Sequence, residues 1–218
     1  MSKKNYKKYL LEIKSALAGD SDALKAISTL EARVEAIQEF KASEASNNEG
    51  EFPLPKELIQ NDEGFAVFSD GACRGNPGPG AWGMMGQDGK GEVIFKASGV
   101  DTRTTNNRME LEGAIQGLVS LKDYFAEISL ENEPTIYVYS DSKYVVDGIM
   151  KWVPGWKNRG WKKADKKTPE NVEQWKNLDL LKNEFQDVQF LWVKGHAGHP
   201  QNEFCDQLAN IALDDSGF

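Results

Sequence analysis

The chain has 218 residues, of which 39% are hydrophobic and 28% charged, which excludes a disordered chain and leaves room for one well-cored domain with a smaller extension. No apolar run approaches the roughly 18 residues of a membrane span, and the basic start MSKKNYKKYLLEIK lacks the apolar core and cleavage site of a signal peptide, so a cytoplasmic protein with no membrane association is expected. The net charge of −8 excludes indiscriminate nucleic-acid binding, yet in 151–167 seven basic residues face a single acid, Asp165, a local charge of +6.

In chain order, residues 3–18 and 21–41 read as two helices, with Asp20 and Ser21 supplying turn and cap chemistry between them. Ala23, Ile27, Leu30, Val34 and Ile37 form one apolar seam at three-four spacing, so a helical hairpin over 1–41 is expected. The polar, Gly- and Pro-bearing stretch 42–60 reads as a linker to a second unit, 61–218. There FAVFS is a short strand ending at Asp70, followed by the turn-rich GACRGNPGPG, then AWGMMG and GEVIFKASG as antiparallel neighbours separated at Gly89. Residues 106–129 are helical, with Met109, Ala114, Leu118, Leu121, Phe125 and Ile128 on one face; TIYVYS is a fourth strand and SKYVVDGIM a short helix. After the basic, Trp-rich segment, Thr168-Pro169-Glu170 opens another helix, VQFLWV is a fifth strand, and His199-Pro200 opens a last helix through about Leu213. The order βββαβααβα implies a mixed α/β sheet with helices on its faces. Cys73 and Cys205 read as free thiols.

Asp70 and Asp141 each end an apolar strand, and parallel pairing of those strands would set them side by side at the carboxyl ends, where α/β sheets build sites. Each alone also reads as a turn former or helix cap. Glu110, in the first turn of the long helix, shares a line with the small residues Ala114 and Gly117; alone it reads as an acid complementing the helix dipole. Asp206 shares a line with Asn202 and Asn210, with Phe204, Leu208 and Ile211 expected in the core and a water-facing flank as the plainer role for the acid. Four converging carboxylates would repel one another unless a hard divalent cation sat between them.

SDGACRGNPGPGAWG, RTTNNRMELEGAIQGL, SDSKYV and VKGHAGHPQNEFCDQLA together resemble bacterial type 1 ribonuclease H, in order, from about Phe65 to Ala212. The resemblance implies a ribonuclease H-like fold: a five-stranded mixed sheet, three antiparallel strands and then two parallel, with helices on both faces. It implies an endonuclease that hydrolyses the RNA strand of RNA–DNA hybrids by a two-metal-ion mechanism, leaving 3′-hydroxyl and 5′-phosphate ends. Position by position, Asp70, Glu110, Asp141 and Asp206 fall on the family's metal-binding carboxylates for two Mg²⁺ ions, with Mn²⁺ as a substitute. His196 falls on a histidine that assists proton movement or product release; without the flanking match it reads as a loop histidine with no task.

The resemblance places substrate contacts at Cys73, Asn76, Thr105, Asn106, Asn107 and Lys143, the last where relatives often carry Gln. A hybrid is told from duplex DNA by the 2′-hydroxyl in a wide, shallow minor groove, which suits such short polar groups. Trp152 and Trp156, in the basic segment with Trp161 and its lysines, match a protrusion that grips the DNA strand; alternatively the tryptophans pack together and only the lysines face out. The first 60 residues lack the aromatic, Gly-rich pattern of a hybrid-binding module, so a protein partner or a second copy is expected at the hairpin, and removal of 1–60 is expected to leave an active core. The alternative to the hydrolase is a non-catalytic hybrid-binding module acting in a complex.

Overall fold

The computed structural model describes residues 52–130, 134–195 and 197–218, together with Lys14 and Ile27, each of which is helical. The remainder of the expected hairpin and the first part of the expected linker lie outside the described residues, as does His196. From the amino end the elements are α1 (Lys56–Gln60), β1 (Phe65–Cys73), β2 (Gly78–Asp88), β3 (Val93–Thr104), α2 (Asn106–Ile128), β4 (Thr135–Ser140), α3 (Lys143–Asp147), a π-helical turn (Gly148–Trp152), α4 (Val153–Asn158), α5 (Val172–Asn183), β5 (Asp187–Trp192) and α6 (Pro200–Asp215).

The strands form one sheet in the order β3-β2-β1-β4-β5. β1, β2 and β3 are an antiparallel meander, whereas β1, β4 and β5 run parallel. Because side chains alternate across a strand, the two faces of the sheet carry separate cores. Phe65 and Val67 of β1, Ile136 and Val138 of β4 and Val188 and Phe190 of β5 pack with α2 and α5. Ala66 and Phe68 of β1 and Tyr137 and Tyr139 of β4 pack on the other face with Leu58 and Cys205. The small residues on the sheet side of α2 set its depth: a Cβ at Gly117 would lie 2.4 Å from Val67 Cγ1, so only glycine lets the helix settle there.

Four expectations are revised. The strands are longer than read, β2 starting at Gly78 and β3 running to Thr104, because part of the Gly- and Pro-rich run is paired: Cys73 opposes Gly80, and Arg74 N–H donates to the Pro79 carbonyl at 2.7 Å. Thr168 and Pro169 precede α5 instead of opening it; Asn171, at φ 55, turns the chain in the left-handed region that Asn tolerates, and the helix starts at Val172. On α6 the buried residues are Gln201, Asn202, Cys205, Ala209 and Leu213, while Ile211 is 54% exposed. A Cβ at Gly83 of β2 would lie 2.1 Å from the Cys205 carbonyl oxygen, so the helix backbone rides against the sheet along a line that large side chains cannot occupy.

The fourth revision concerns residues 52–60, read from composition as part of a linker. Leu58 is fully buried against the sheet, Phe52 and Leu54 pack on the same core, and Asn61 donates to the Tyr137 hydroxyl at 3.4 Å. The prolines of this stretch hold an extended strap, with Pro55 in a β conformation at the start of α1.

Candidate active site

The parallel register of β1 and β4 brings Phe65 opposite Ile136 and Phe68 opposite Tyr139, so two residues further on Asp70 and Asp141 come level at the carboxyl end of the sheet. Both lie on the α6 face by alternation. Glu110 arrives from the second turn of α2, one turn further in than its sequence reading, since the first turn carries no acid. Its approach depends on Gly71, where a Cβ would lie 2.5 Å from the Glu110 nitrogen. Asp70, Glu110 and Asp141 then present ligand atoms that all lie within 4.8 Å of one another. Gly195, in the loop after β5, closes on the same place, since a Cβ there would meet Asp141 Oδ2 at 2.3 Å.

The electrostatics follow from that crowding. Burial pushes the Asp70 carboxyl up to about 7, and the charges of Asp141 and Asp206 add to it, against the stabilising N–H of Gly71 at 2.7 Å and the amide of Asn202 at 3.3 Å. Burial likewise holds Glu110 well above the carboxylate range, with Asp70 and Asp141 reinforcing the effect and the Asn106 amide, at 3.0 Å, opposing it. Glu110 Oε2 is buried with no hydrogen-bond partner. Such a set of crowded, buried oxygens favours a positive charge at its centre. All-oxygen donors of this kind suit a hard divalent cation, and the orphaned Oε2 offers it a ready ligand. Asp206 stands outside the group of three but close enough for its charge to raise both Asp70 and Glu110, and it accepts from the Asn210 amide at 2.8 Å.

The other expected residues, His196 aside, lie as follows. Asn106 bridges two parts of the site: its side chain donates to Glu110, and its backbone N–H donates to Asn76 Oδ1 at 3.3 Å, tying the turn after β1 to the start of α2. Thr105 is the N-cap residue of α2 and makes no side-chain capping bond, and Asn107 is exposed beside it. The Cys73 thiol donates to the Gly75 carbonyl at 2.6 Å, and both cysteines are free. Lys143 is exposed at the start of α3, its ammonium 4.7 Å from the centroid of the Trp192 ring. In the basic segment Trp156 is buried between Trp152, tilted against it at a centroid distance of 6.0 Å, and Trp175, edge-to-face at 5.8 Å, which leaves Trp152, 39% exposed, as the open ring. Lys157 pairs with Asp179 at 2.7 Å, so it braces the segment on α5.

Two site residues escaped the sequence reading. Asn202 is 2% exposed and holds Asp70; its place one turn before Asp206 on the same helical line was the available signal. Trp192 donates its indole N–H to the Asp141 carbonyl at 2.8 Å, a contact that needs the tertiary approach of β5 to β4 and has no signature in the chain itself.

Known proteins resemble this chain in sequence and fold. A sequence model of the RNase H family matches residues 62–214. A protein named Ribonuclease H from Chromobacterium violaceum is 47% identical over 158 residues, covering 72% of this chain and 99% of that protein. One from Erythrobacter litoralis is 50% identical over 149 residues, covering 68% and 94%, and one from Escherichia coli is 46% identical over 157, covering 70% and 94%. Among solved structures, RNase H1 from Halobacterium salinarum aligns with a TM-score of 0.54 at 28% identity over 70% of this chain and 98% of that one. LC11-RNase H1 in complex with RNA/DNA hybrid aligns at 0.56 and 25% identity over 71% and 99%. Enzymes of one name thus share nearly half of the aligned positions with this chain and almost their whole length, and the chain belongs to the RNase H family.

Proposed function

We propose that the chain is a hybrid-specific endoribonuclease: it hydrolyses the RNA strand of an RNA–DNA hybrid with two divalent ions, Mg²⁺ or Mn²⁺, and leaves 3′-hydroxyl and 5′-phosphate ends. The observation that carries this reading is the approach of Asp70, Glu110 and Asp141 to within 4.8 Å at the carboxyl ends of β1 and β4, two of them held above their ordinary range by burial and by one another. Asp70, Glu110, Asp141 and Asp206 would hold the ions, which would supply positive charge beside the scissile phosphate and acidify a water for in-line displacement. The chain's own groups do the rest. Asn106, Asn107, Asn76, Thr105 and the Cys73 turn line the groove for the RNA strand, where short polar groups can read 2′-hydroxyls. Lys143, Trp152 and the exposed lysines of 162–167 face the DNA strand and its phosphates. His196 moves a proton at the reacting oxygen or helps the product leave, a task within the chemistry of an imidazole.

The test is a labelled RNA–DNA hybrid with the purified full chain and Mg²⁺. Internal cuts in the RNA strand are expected, with little cleavage of single-stranded RNA or duplex DNA, and none after EDTA. A hybrid that stays bound but intact over hours would replace this reading with a binding role.

A further inference from the structure

The strap 52–60 lies ahead of the family match, which starts at 62, yet it is bonded to the helix that serves the site. Gln201, in the first turn of α6, is 4% exposed and donates from Nε2 to the Pro53 carbonyl at 2.5 Å and to Gln87 Oε1 at 3.1 Å. Gln87, fully buried on β2, donates to the Phe52 carbonyl at 3.2 Å and the Gly91 carbonyl at 3.0 Å. The Phe52 ring packs on Phe204 of α6 at 5.2 Å. The next residue along α6 is Asn202, which donates to Asp70 Oδ2 at 3.3 Å.

Consecutive helix residues point about 100° apart, so one turn of α6 grips the strap with Gln201 and Asp70 with Asn202. α6 has no side-chain cap at His199, so the direction of its first turn is left to tertiary contacts of this kind. Among the described residues the buried side-chain atoms without partners are Ser69 Oγ, Thr104 Oγ1, Glu110 Oε2 and Asn202 Oδ1: the glutamine network at the strap is satisfied, while the site end is left open. A satisfied buried amide network has one geometry, since any shift leaves a desolvated group unpaired.

On the reading given under Proposed function, we propose that the strap is a positioning element of the metal site, acting through Gln201 and Asn202 to hold Asp70 where it ligates. Gln201→Met keeps the length and apolar body of the side chain and removes both donations. In the full chain, at a temperature where circular dichroism shows it folded, Mn²⁺ affinity measured by calorimetry without substrate should fall about tenfold, as for loss of an outer ligand contact. kcat should fall with it while KM for the hybrid is unchanged, and Asn202→Ala should give the same loss, with no further loss in the double variant. A Gln201→Met protein with a lower unfolding midpoint but wild-type Mn²⁺ affinity and kcat would overturn the proposal and leave the strap a purely structural brace. If Gln201→Met does not fold, Phe52→Leu decides: a weaker Mn²⁺ site supports the proposal and a wild-type one overturns it. A wild-type chain that binds Mn²⁺ but leaves hybrid uncut would refute the nuclease reading, and the affinity comparison would still decide on the strap.

Discussion

Tyr139 donates its phenolic hydroxyl to Oε2 of Glu57 at 2.5 Å, joining the inner strand β4 to a helix that precedes the first residue of the family match. Burial and that carboxylate together hold the phenol well above its ordinary range, so the bond persists through the working pH range. Residues 52–61 therefore belong to the fold of the same unit as the sheet, where composition alone reads a linker up to residue 60. A chain starting at residue 62 should unfold at lower urea than one starting at 52, and Leu58→Ala in the full chain should cost about 2–5 kcal/mol. Equal midpoints for the two truncations would show the strap to be loosely held.

Asp70→Asn should abolish hybrid cleavage yet stabilise the metal-free protein. The folded-state value of about 7 lies above the ordinary 3.8, so the folded protein keeps this proton longer than the unfolded chain does. Asp70 thus lowers stability progressively as pH rises from about 4 to 7, by up to about 4 kcal/mol at ~1.4 kcal/mol per unit. In EDTA the variant's gain in Tm should be large at pH 8 and vanish near pH 4, and Mg²⁺ should erase it by stabilising the wild type alone. A gain of the same size at both pH values would sink the electrostatic account.

The ammonium of Lys143 over the Trp192 ring is a cation–π pair at an exposed site, expected to contribute about 0.5–1 kcal/mol. A double-mutant cycle of Lys143→Met and Trp192→Leu, read by urea unfolding, should return a coupling of that size. Trp192→Phe removes the N–H given to the Asp141 carbonyl and leaves a smaller aromatic face, so it should lower kcat while weakening, without abolishing, the coupling with Lys143.

Gly117→Ala sets two effects against each other. Alanine favours a helix interior over glycine by about 1 kcal/mol. Its Cβ, however, would sit 2.4 Å from Val67 Cγ1, and overpacking of a core costs roughly 1–3 kcal/mol. Val67 is fully buried in the central strand and has little room to yield, so net destabilisation is expected. An unfolding midpoint at or above wild type would show that α2 can lift off the sheet without penalty.

The chain itself determined the order of strands and helices, because apolar periodicity and turn residues act over a few neighbours. It also marked Asp70 and Asp141 as acids after apolar strand runs, although β1 continues past Asp70 to Cys73, and its ordered motifs pointed to the family. Tertiary structure decided what depends on distant partners. Asp70 and Asp141 stand level only because β1 and β4 pair in one register, and Glu110 reaches them only because Gly71 leaves room for α2. The buried line of α6 follows Cys205 and Ala209 and bypasses the larger Ile211, because Gly83 of β2 lets the helix backbone come into contact with the sheet. The strap shows the same division: its prolines and polar flanks read locally as a linker, while the side chains that hold it, Gln87, Tyr139 and Gln201, lie between 35 and 148 residues away from their strap partners. Local composition carries no record of bonds made across such separations, which exist only once the sheet has formed.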